Sequence, residues 1–292
     1  MDKKYISEIL SIIKNSDIQL KEIEIRGVKY NDDVSDKSTL YIETVERIGF
    51  GAFLSKSWII ESQLIFLLFD GYLEDMYYLD EGSSFKSRYE NIPITSDMEI
   101  IKKNCYRIMK IFRNAVTHNL SHIAVDESGY KIGYMNKKNQ SIRLNITNNS
   151  IQTLYTLIVA FVKGDIEIHT EGHYEGILLS YYKNMLKGIS VLEDELENSL
   201  IPLKNTFVEL NTSVRYRVLN PRIVYEDEVL KIRKYYPGSA EYACDYFITQ
   251  GEDTFLVPEE IMMPAQELLI LKKSELGEKW KIDKKYKTEF AT

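Results

Sequence analysis

The residues best suited to chemistry in this sequence stand in one short stretch, Arg113-Asn114-Ala115-Val116-Thr117-His118. A histidine changes its charge near neutral pH, so it can accept or donate a proton during a reaction. An arginine carries a permanent, planar charge whose N–H groups match the oxygen atoms of a phosphate. The stretch therefore predicts acid–base chemistry on an anion such as a phosphodiester.

The helix that must position these residues is predicted over residues 97–118, with Ser96 or Asp97 as its N-cap. Apolar residues recur on one side of this helix at the spacing that faces a core. The opposite side carries Lys103, Arg107, Lys110, Asn114 and His118, with no acidic residue between positions 102 and 118. This one-signed face predicts a groove for phosphodiester groups, and a solvated charged face is the alternative.

Arg113 and His118 are five residues apart, which separates them by roughly 140° around a regular helix. They therefore meet only if the helix ends or distorts between them, or if a second copy of the chain completes the site. We expect a homodimer in which two such helices come together.

The order of these features resembles the signature of the HEPN superfamily. That signature is an arginine, commonly a polar residue next to it, and a histidine four to six residues further along, near a helix end. A long apolar helix with an acidic residue precedes it, and here residues 56–78 with Glu61 take that place. A closing helix is predicted over residues 150–163. The resemblance covers roughly residues 40–165.

The resemblance implies an endoribonuclease that needs no metal and no cofactor. His118 would activate the ribose 2′-hydroxyl or protonate the leaving oxygen, and Arg113 would stabilise charge on the phosphate. Asn114 would bind the phosphate or orient His118, and Glu61 would hold Arg113 in place. The products would end in a 2′,3′-cyclic phosphate.

The same resemblance implies partners and a biological role. RNA would be the substrate, bound by the cations Lys103, Arg107 and Lys110, and family members commonly pair as two-fold dimers. Many act as toxins of toxin–antitoxin systems or in phage defence, so an antitoxin or regulatory protein is a possible partner. The alternative is a non-catalytic HEPN-like module that binds RNA or a nucleotide, or that only dimerises.

The predicted fold is mainly α, a HEPN-like helical bundle with a β-hairpin insertion at 121–146 and a smaller C-terminal α/β or α+β domain. The predicted domains are an N-terminal helix-strand extension at 1–38, a helical domain at 39–165 and an α+β domain at 166–292. Further expected elements are helices at 2–15, 40–47 and 174–199, strands within 18–30 and 205–257, and a helical stretch from Pro258 to about residue 276.

Composition narrows the class of protein. A net charge of −7 argues against a general nucleic-acid coat protein, but it permits a local basic site. The two cysteines, Cys105 and Cys244, have no spacing typical of a disulfide framework or a zinc site. The longest apolar stretches are too short to span a bilayer, and no apolar signal core is present, so we expect a cytoplasmic protein without membrane contact.

Two other histidine signals carry less weight. His169 and His173 have a spacing that can hold zinc on a helix, but Gly164, Gly172 and Gly176 around them favour a linker instead. His122 follows the Arg113–His118 stretch and could help to bind the substrate, but a plain surface histidine is the favoured interpretation.

Overall fold

The computed structural model describes residues 23–30, 40–48, 58–79, 82–164, 170–196, 199–211, 214–238 and 242–282. The predicted helix at 2–15 lies outside the described residues. The chain divides into two compact units, each of which is discontinuous in sequence. Among the described residues, the first unit holds 58–164 and 181–206, and the second holds 23–48, 170–180 and 207–282.

The helices of the first unit surround a large apolar core. They are α1 (Trp58–Met76), α2 (Phe85–Asn91), α3 (Asp97–His118) and α4 (Asn148–Lys163). A further helix, α5 (Glu171–Lys187), begins among residues of the second unit and ends among those of the first. The core side chains of α1 and α4 are almost wholly buried, including Ile65, Phe69, Leu157 and Phe161. The predictions for α1 and α4 are confirmed.

Helix α3 has the bounds that the sequence predicts, because its start is encoded locally. Ser96 accepts a hydrogen bond from the Glu99 backbone N–H, and the Glu99 side chain accepts one from the Ser96 backbone. This capping box satisfies two N–H groups that the first turn would otherwise leave without partners. The apolar side, with Ile101, Cys105 and Phe112, is buried as expected.

A four-stranded antiparallel sheet completes the first unit, in the order β3-β4-β5-β6. Its strands are β3 (Ile123–Asp126), β4 (Gly129–Met135), β5 (Ser141–Thr147) and β6 (Ile189–Glu193). The β4–β5 pair confirms the predicted hairpin, with Met135 opposite Ser141 across the turn. Strand β6 replaces the end of the helix predicted at 174–199, since α5 stops at Lys187.

The second unit is built on a mixed five-stranded sheet in the order β11-β10-β7-β1-β2. Its strands are β1 (Ile23–Tyr30), β2 (Leu40–Ile48), β7 (Val214–Val218), β10 (Tyr242–Gln250) and β11 (Asp253–Pro258). The three central strands run parallel and the two outer pairs are antiparallel. A second, antiparallel sheet contains β8 (Ile223–Tyr225), β9 (Val229–Arg233), β12 (Met263–Ala265) and β13 (Leu268–Lys272).

The prediction of a mainly α bundle is wrong, because the described residues form three β-sheets beside the helices and the fold is α/β. Residues 40–47, predicted as a helix, form β2 and pair with β1 along its whole length. After Pro258 the chain forms short 3-10 turns and two strands in place of the predicted helical stretch. Both segments become strands by pairing with other strands, Leu40 with Tyr30 and Leu271 with Leu230, and a segment's own pattern does not report such partners.

The core of the second unit contains a closed network of charged side chains. Asp245 accepts hydrogen bonds from Arg215 Nη2 at 2.6 Å and from His173 Nε2 at 2.9 Å. Arg215 Nη1 donates a further bond, at 2.8 Å, to Glu260, and the Thr170 hydroxyl lies 2.6 Å from His173 Nδ1. Because a carboxylate only accepts, His173 carries its proton on Nε2 and is held as a structural residue.

Candidate functional site

Helix α3 places the three residues of the predicted motif in three different environments. Arg113 is half-buried; its Nη1 donates a hydrogen bond of 3.2 Å to Asn114 Oδ1, and its Cζ lies 6.0 Å from the centre of the Phe66 ring. His118 is exposed in the last turn of the helix. Neither of these two contacts of Arg113 involves His118. The helix is regular through this stretch, so the expected angular separation of the two side chains is kept.

Asn114 opens onto a surface cavity of about 410 Å³. We call this space the α3–hairpin cavity, since α2, α3, the β4–β5 hairpin and the start of the chain after β6 surround it. Its lining residues are Phe85, Lys86, Tyr89, Lys110, Asn114, Tyr134, Asn136, Lys137, Lys138, Gln140, Glu195 and Leu196. Asn114 and Lys110 are one turn apart on α3, so the same face of the helix supplies both.

The lining of this cavity is basic although the chain is acidic overall. Four lysines and one glutamate surround it, whereas the whole chain carries a net charge of −7. Lys110 forms an ion pair with Glu195 and lies 4.2 Å from the centre of the Phe85 ring. Lys86 forms an exposed pair with Glu90 at 3.7 Å. A concave, locally positive surface of this kind attracts anions.

The hairpin turn between β4 and β5 is held by Asn136. Its Oδ1 accepts hydrogen bonds from the backbone N–H of Lys138 at 2.8 Å and of Gln140 at 3.0 Å. Its Nδ2 donates a bond of 2.9 Å to the Gln140 side chain. This side-chain-to-backbone bonding fixes a turn that displays Lys137 and Lys138, both exposed, at the edge of the cavity.

Two residues predicted to bind RNA, Lys103 and Arg107, are buried rather than open to solvent. Lys103 Nζ donates to the backbone oxygens of Ile92 at 2.7 Å and Glu90 at 3.3 Å. Arg107 donates two hydrogen bonds, of 2.7 and 2.6 Å, to Asp194. The end of α2 and the chain after β6 therefore cover the part of α3 that was expected to form an open groove. Of the three predicted cations, only Lys110 reaches the cavity.

Glu61 lies in the first turn of α1 and is half-buried. Burial raises the pKa of Tyr130, and the charge of Glu61 raises it further. The same charge, after burial and Tyr130 itself, adds to the high pKa of Tyr155. Glu61 thus lies near these two hydroxyl groups, and its expected role in holding Arg113 stays a prediction.

Sequence reasoning missed Tyr134 and gave little weight to His122. Burial raises the pKa of Tyr134, and a hydrogen bond from the Asn114 side chain opposes that rise. The ring of His122 stacks on that of Tyr134, with centres 5.3 Å apart and planes at 17°. One signal in the sequence could have indicated this cavity. The pair Lys137-Lys138 lies inside the polar turn of a predicted hairpin, which is typical of a basic loop tip.

Metal and membrane signals are absent within the described residues. No group of three or more histidine, cysteine, aspartate or glutamate side chains there is arranged to hold a metal ion. His173, whose spacing from His169 suits zinc, is bonded to Thr170 and Asp245, and His169 lies outside the described residues. No described helix is long and apolar enough to cross a membrane.

Comparison of the chain with protein-family models, with curated proteins and with solved structures found no match. The resemblance to the HEPN superfamily therefore rests on the residues from Arg113 to His118 and on the order of the helices around them.

Proposed function

We propose that this protein is an endoribonuclease that cleaves RNA beside the end of α3 without a metal ion. One observation carries the proposal: Asn114 lines a lysine-rich cavity, and His118 is exposed one turn further along the same helix. A phosphate held near Asn114 thus lies close to a group that can transfer protons. The basic lining favours a polyanion as substrate.

The proposed reaction is an internal transfer of the phosphodiester. The ribose 2′-oxygen attacks phosphorus while the bond from phosphorus to the 5′-oxygen of the next nucleotide breaks. A base takes the proton from the 2′-hydroxyl and an acid gives one to the departing 5′-oxygen, so the products are a 2′,3′-cyclic phosphate and a 5′-hydroxyl. His118 performs one of these two proton transfers.

Arg113 and Asn114 act on the phosphate in this proposal. The charge on the non-bridging oxygens increases in the transition state, and a fixed guanidinium stabilises that increase. Asn114 already accepts a hydrogen bond from Arg113, so the amide holds the guanidinium near the cavity wall. The site then combines a positioned cation with an exposed imidazole.

A second copy of the chain completes the proposed site. The reaction needs both a base and an acid, and each α3 supplies one His118. Arg113 and His118 also point away from each other on a regular helix, by roughly 140°. A two-fold pair of α3 ends would bring the Arg113 of one copy towards the His118 of the other, and we propose a homodimer on this ground.

The biological part of the proposal rests on the resemblance to the HEPN superfamily. A cytoplasmic ribonuclease of this type would act as a toxin or in phage defence, and an antitoxin or regulatory protein would control it.

A non-catalytic module that binds RNA or a nucleotide is the second candidate. It is favoured by the fact that His118 and Arg113 are not among the residues that line the α3–hairpin cavity. The lysines and Asn114 are sufficient to bind a phosphate without any proton transfer.

Three matched oligonucleotides of one sequence test the proposal: RNA, 2′-O-methyl RNA and DNA, each incubated with purified protein in excess EDTA. We expect cleavage of the RNA alone, with products that end in a cyclic phosphate, because only RNA carries the attacking hydroxyl. Binding of RNA without cleavage would support the module instead. A protein that neither binds nor cleaves RNA would contradict both candidates.

A further inference from the structure

We infer that the turn Asn136–Gln140 is a phosphate clamp and that the α3–hairpin cavity holds one unpaired nucleotide, so that the substrate is single-stranded RNA or an RNA loop. The inference rests on the proposed function, whose substrate class it narrows. Its basis is the size of the cavity, the charges on its edge and the chemistry of its walls.

The size of the cavity suits one nucleotide. Its volume of about 410 Å³ lies near the lower end of the range of roughly 300–1,000 Å³ that is typical of small-molecule sites. A base that is stacked and paired within a duplex does not enter a concave site of this size. It must first leave the stack, which costs a few kcal/mol for a paired base and much less for an unpaired one. The cavity therefore selects unpaired RNA.

The charges that remain available lie on the turn. Lys110 is neutralised by Glu195 within the cavity, and Lys86 pairs with Glu90 on α2. Lys137 and Lys138 are exposed, and no acidic side chain of the described residues forms an ion pair with either. These two cations are thus the groups at the cavity edge that can bind backbone phosphates without first losing a partner.

The turn is pre-organised by its own hydrogen bonds. Two hydrogen bonds of the Asn136 side chain fix the backbone of the turn and a third holds the Gln140 side chain. Asn139 adopts the left-handed conformation with φ of 59°, which asparagine tolerates well. A fixed turn loses little conformational entropy when it binds a phosphate. Asn136 is therefore a positioning residue for the two lysines.

The walls carry groups that recognise a base rather than a bare phosphate. Tyr134 and Phe85 line the cavity with aromatic rings, and Asn114 and Gln140 line it with amides. Phe85 already stacks on Tyr106 and has Lys110 over its ring, so Tyr134 is the ring on which a base would stack. Proteins bind unpaired bases by stacking on aromatic rings and by hydrogen bonds to the base edges. Amides and rings in the cavity, with lysines at its edge, match the base and the backbone of one nucleotide.

Binding measurements on the full chain test this inference. Fluorescence anisotropy compares a single-stranded RNA, the same sequence in a hairpin loop and the same sequence in a duplex, all with the 2′-oxygens methylated to prevent cleavage. The double variant Lys137→Ala/Lys138→Ala is compared with Lys131→Ala/Lys187→Ala, whose lysines are outside the cavity lining. Circular dichroism confirms that both variants are folded.

We expect the wild-type chain to bind the single strand and the loop at least tenfold more tightly than the duplex. Loss of Lys137 and Lys138 should weaken single-strand binding by about tenfold and reduce the slope of log affinity against log salt by about 1.4, since each phosphate neutralised on a single strand contributes about 0.7. The control variant should bind as the wild type does. Equal affinity for duplex and single strand, or an unchanged affinity in the double variant, would overturn the inference.

These outcomes separate the inference from the proposed function. Preference for unpaired RNA that depends on Lys137 and Lys138, in a protein that cuts no RNA, supports the clamp and contradicts the ribonuclease. Cleavage of unmethylated RNA that is unchanged in the double variant supports the ribonuclease and contradicts the clamp.

Discussion

The guanidinium of Arg107 on α3 donates one hydrogen bond to each carboxylate oxygen of Asp194, at 2.7 and 2.6 Å, and both side chains are buried. Arg107 Nη1 donates a third bond, of 3.1 Å, to the backbone oxygen of Ser199. Asn104, one turn earlier on α3, bonds to the backbone of Ile201. These hydrogen bonds hold Asp194, Ser199 and Ile201 against α3, the helix that carries Asn114.

Removing the charge of Asp194 tests how much the Arg107–Asp194 pair contributes to the stability of the protein. Asp194→Asn keeps the shape of the side chain but leaves Arg107 as a buried cation without a counter-charge. Breaking a buried ion pair in this way costs about 3–5 kcal/mol. We expect a loss of this size in the free energy of unfolding, measured by urea denaturation.

Glu193→Gln is the matched control for Asp194→Asn. Glu193 pairs with Arg143 at 2.6 Å, but both side chains are about half exposed, and exposed pairs contribute less than about 1 kcal/mol. Equal losses in the two variants would show that the Arg107–Asp194 pair does not secure the chain on α3.

Glu195 is the one acidic residue of the cavity lining, and its removal should strengthen RNA binding. In Glu195→Gln, Lys110 loses its partner and becomes available to a phosphate. Each additional phosphate that the protein neutralises on a single strand adds about 0.7 to the salt slope. We expect RNA affinity to rise several-fold at low salt, with a steeper salt dependence, in a filter-binding or anisotropy titration. Weaker binding in this variant would mean that the cavity is not the RNA site.

Two titratable groups of the second unit, the buried His173 and the half-buried Glu175, should change its stability with pH in opposite directions. Burial lowers the pKa of His173, and Arg215 and Arg217 add to this effect against the opposing charge of Asp245. Below about pH 6.5, His173 therefore binds a proton in the unfolded chain but not in the folded chain. His173 therefore reduces the free energy of unfolding as the pH falls from 7 to 5, by at most about 1.4 kcal/mol per pH unit.

Glu175 changes the stability of the protein with pH in the opposite direction to His173. Burial, and then the charge of Glu171, raises its pKa to about 7, so the folded chain binds a proton between this value and about 4.3 that the unfolded chain does not. Its contribution to stability is present at low pH and is lost as the pH rises through 7. We expect His173→Gln to lessen the loss of stability on acidification, and Glu175→Gln to increase it. Identical pH profiles of the thermal midpoint in wild type and both variants would contradict this account.

The sequence alone predicts those helices whose ends are marked by residues within or next to the helix itself. Ser96 and Glu99 specify the start of α3, and Gly164, with φ of 64°, ends α4 where the helical pattern stops. Strand β2 was not predictable in the same way, since residues 40–48 become a strand by pairing with β1 rather than through their own pattern.

The site was predictable only in part for the same reason. The motif residues lie on α3 as expected, because the helix is encoded within its own sequence. The burial of Arg107 depends on Asp194, which is 87 residues away, and no periodicity within α3 reports such a partner. The role of Tyr134 in the cavity likewise depends on how the β4–β5 hairpin packs beside α3.

The central claim is that His118 transfers a proton during RNA cleavage, and the most direct measurement compares His118→Ala with His122→Ala. All proteins are purified identically, and the rate of cleavage of one RNA is measured in EDTA under single-turnover conditions. We expect His118→Ala to lose about 10²–10⁴-fold in rate while it binds uncleavable RNA as the wild type does. His122→Ala, which loses only a ring stacked on Tyr134, should retain most of the rate. Full activity in His118→Ala would contradict the claim, and the loss of activity in His122→Ala alone would assign the proton transfer to the other histidine.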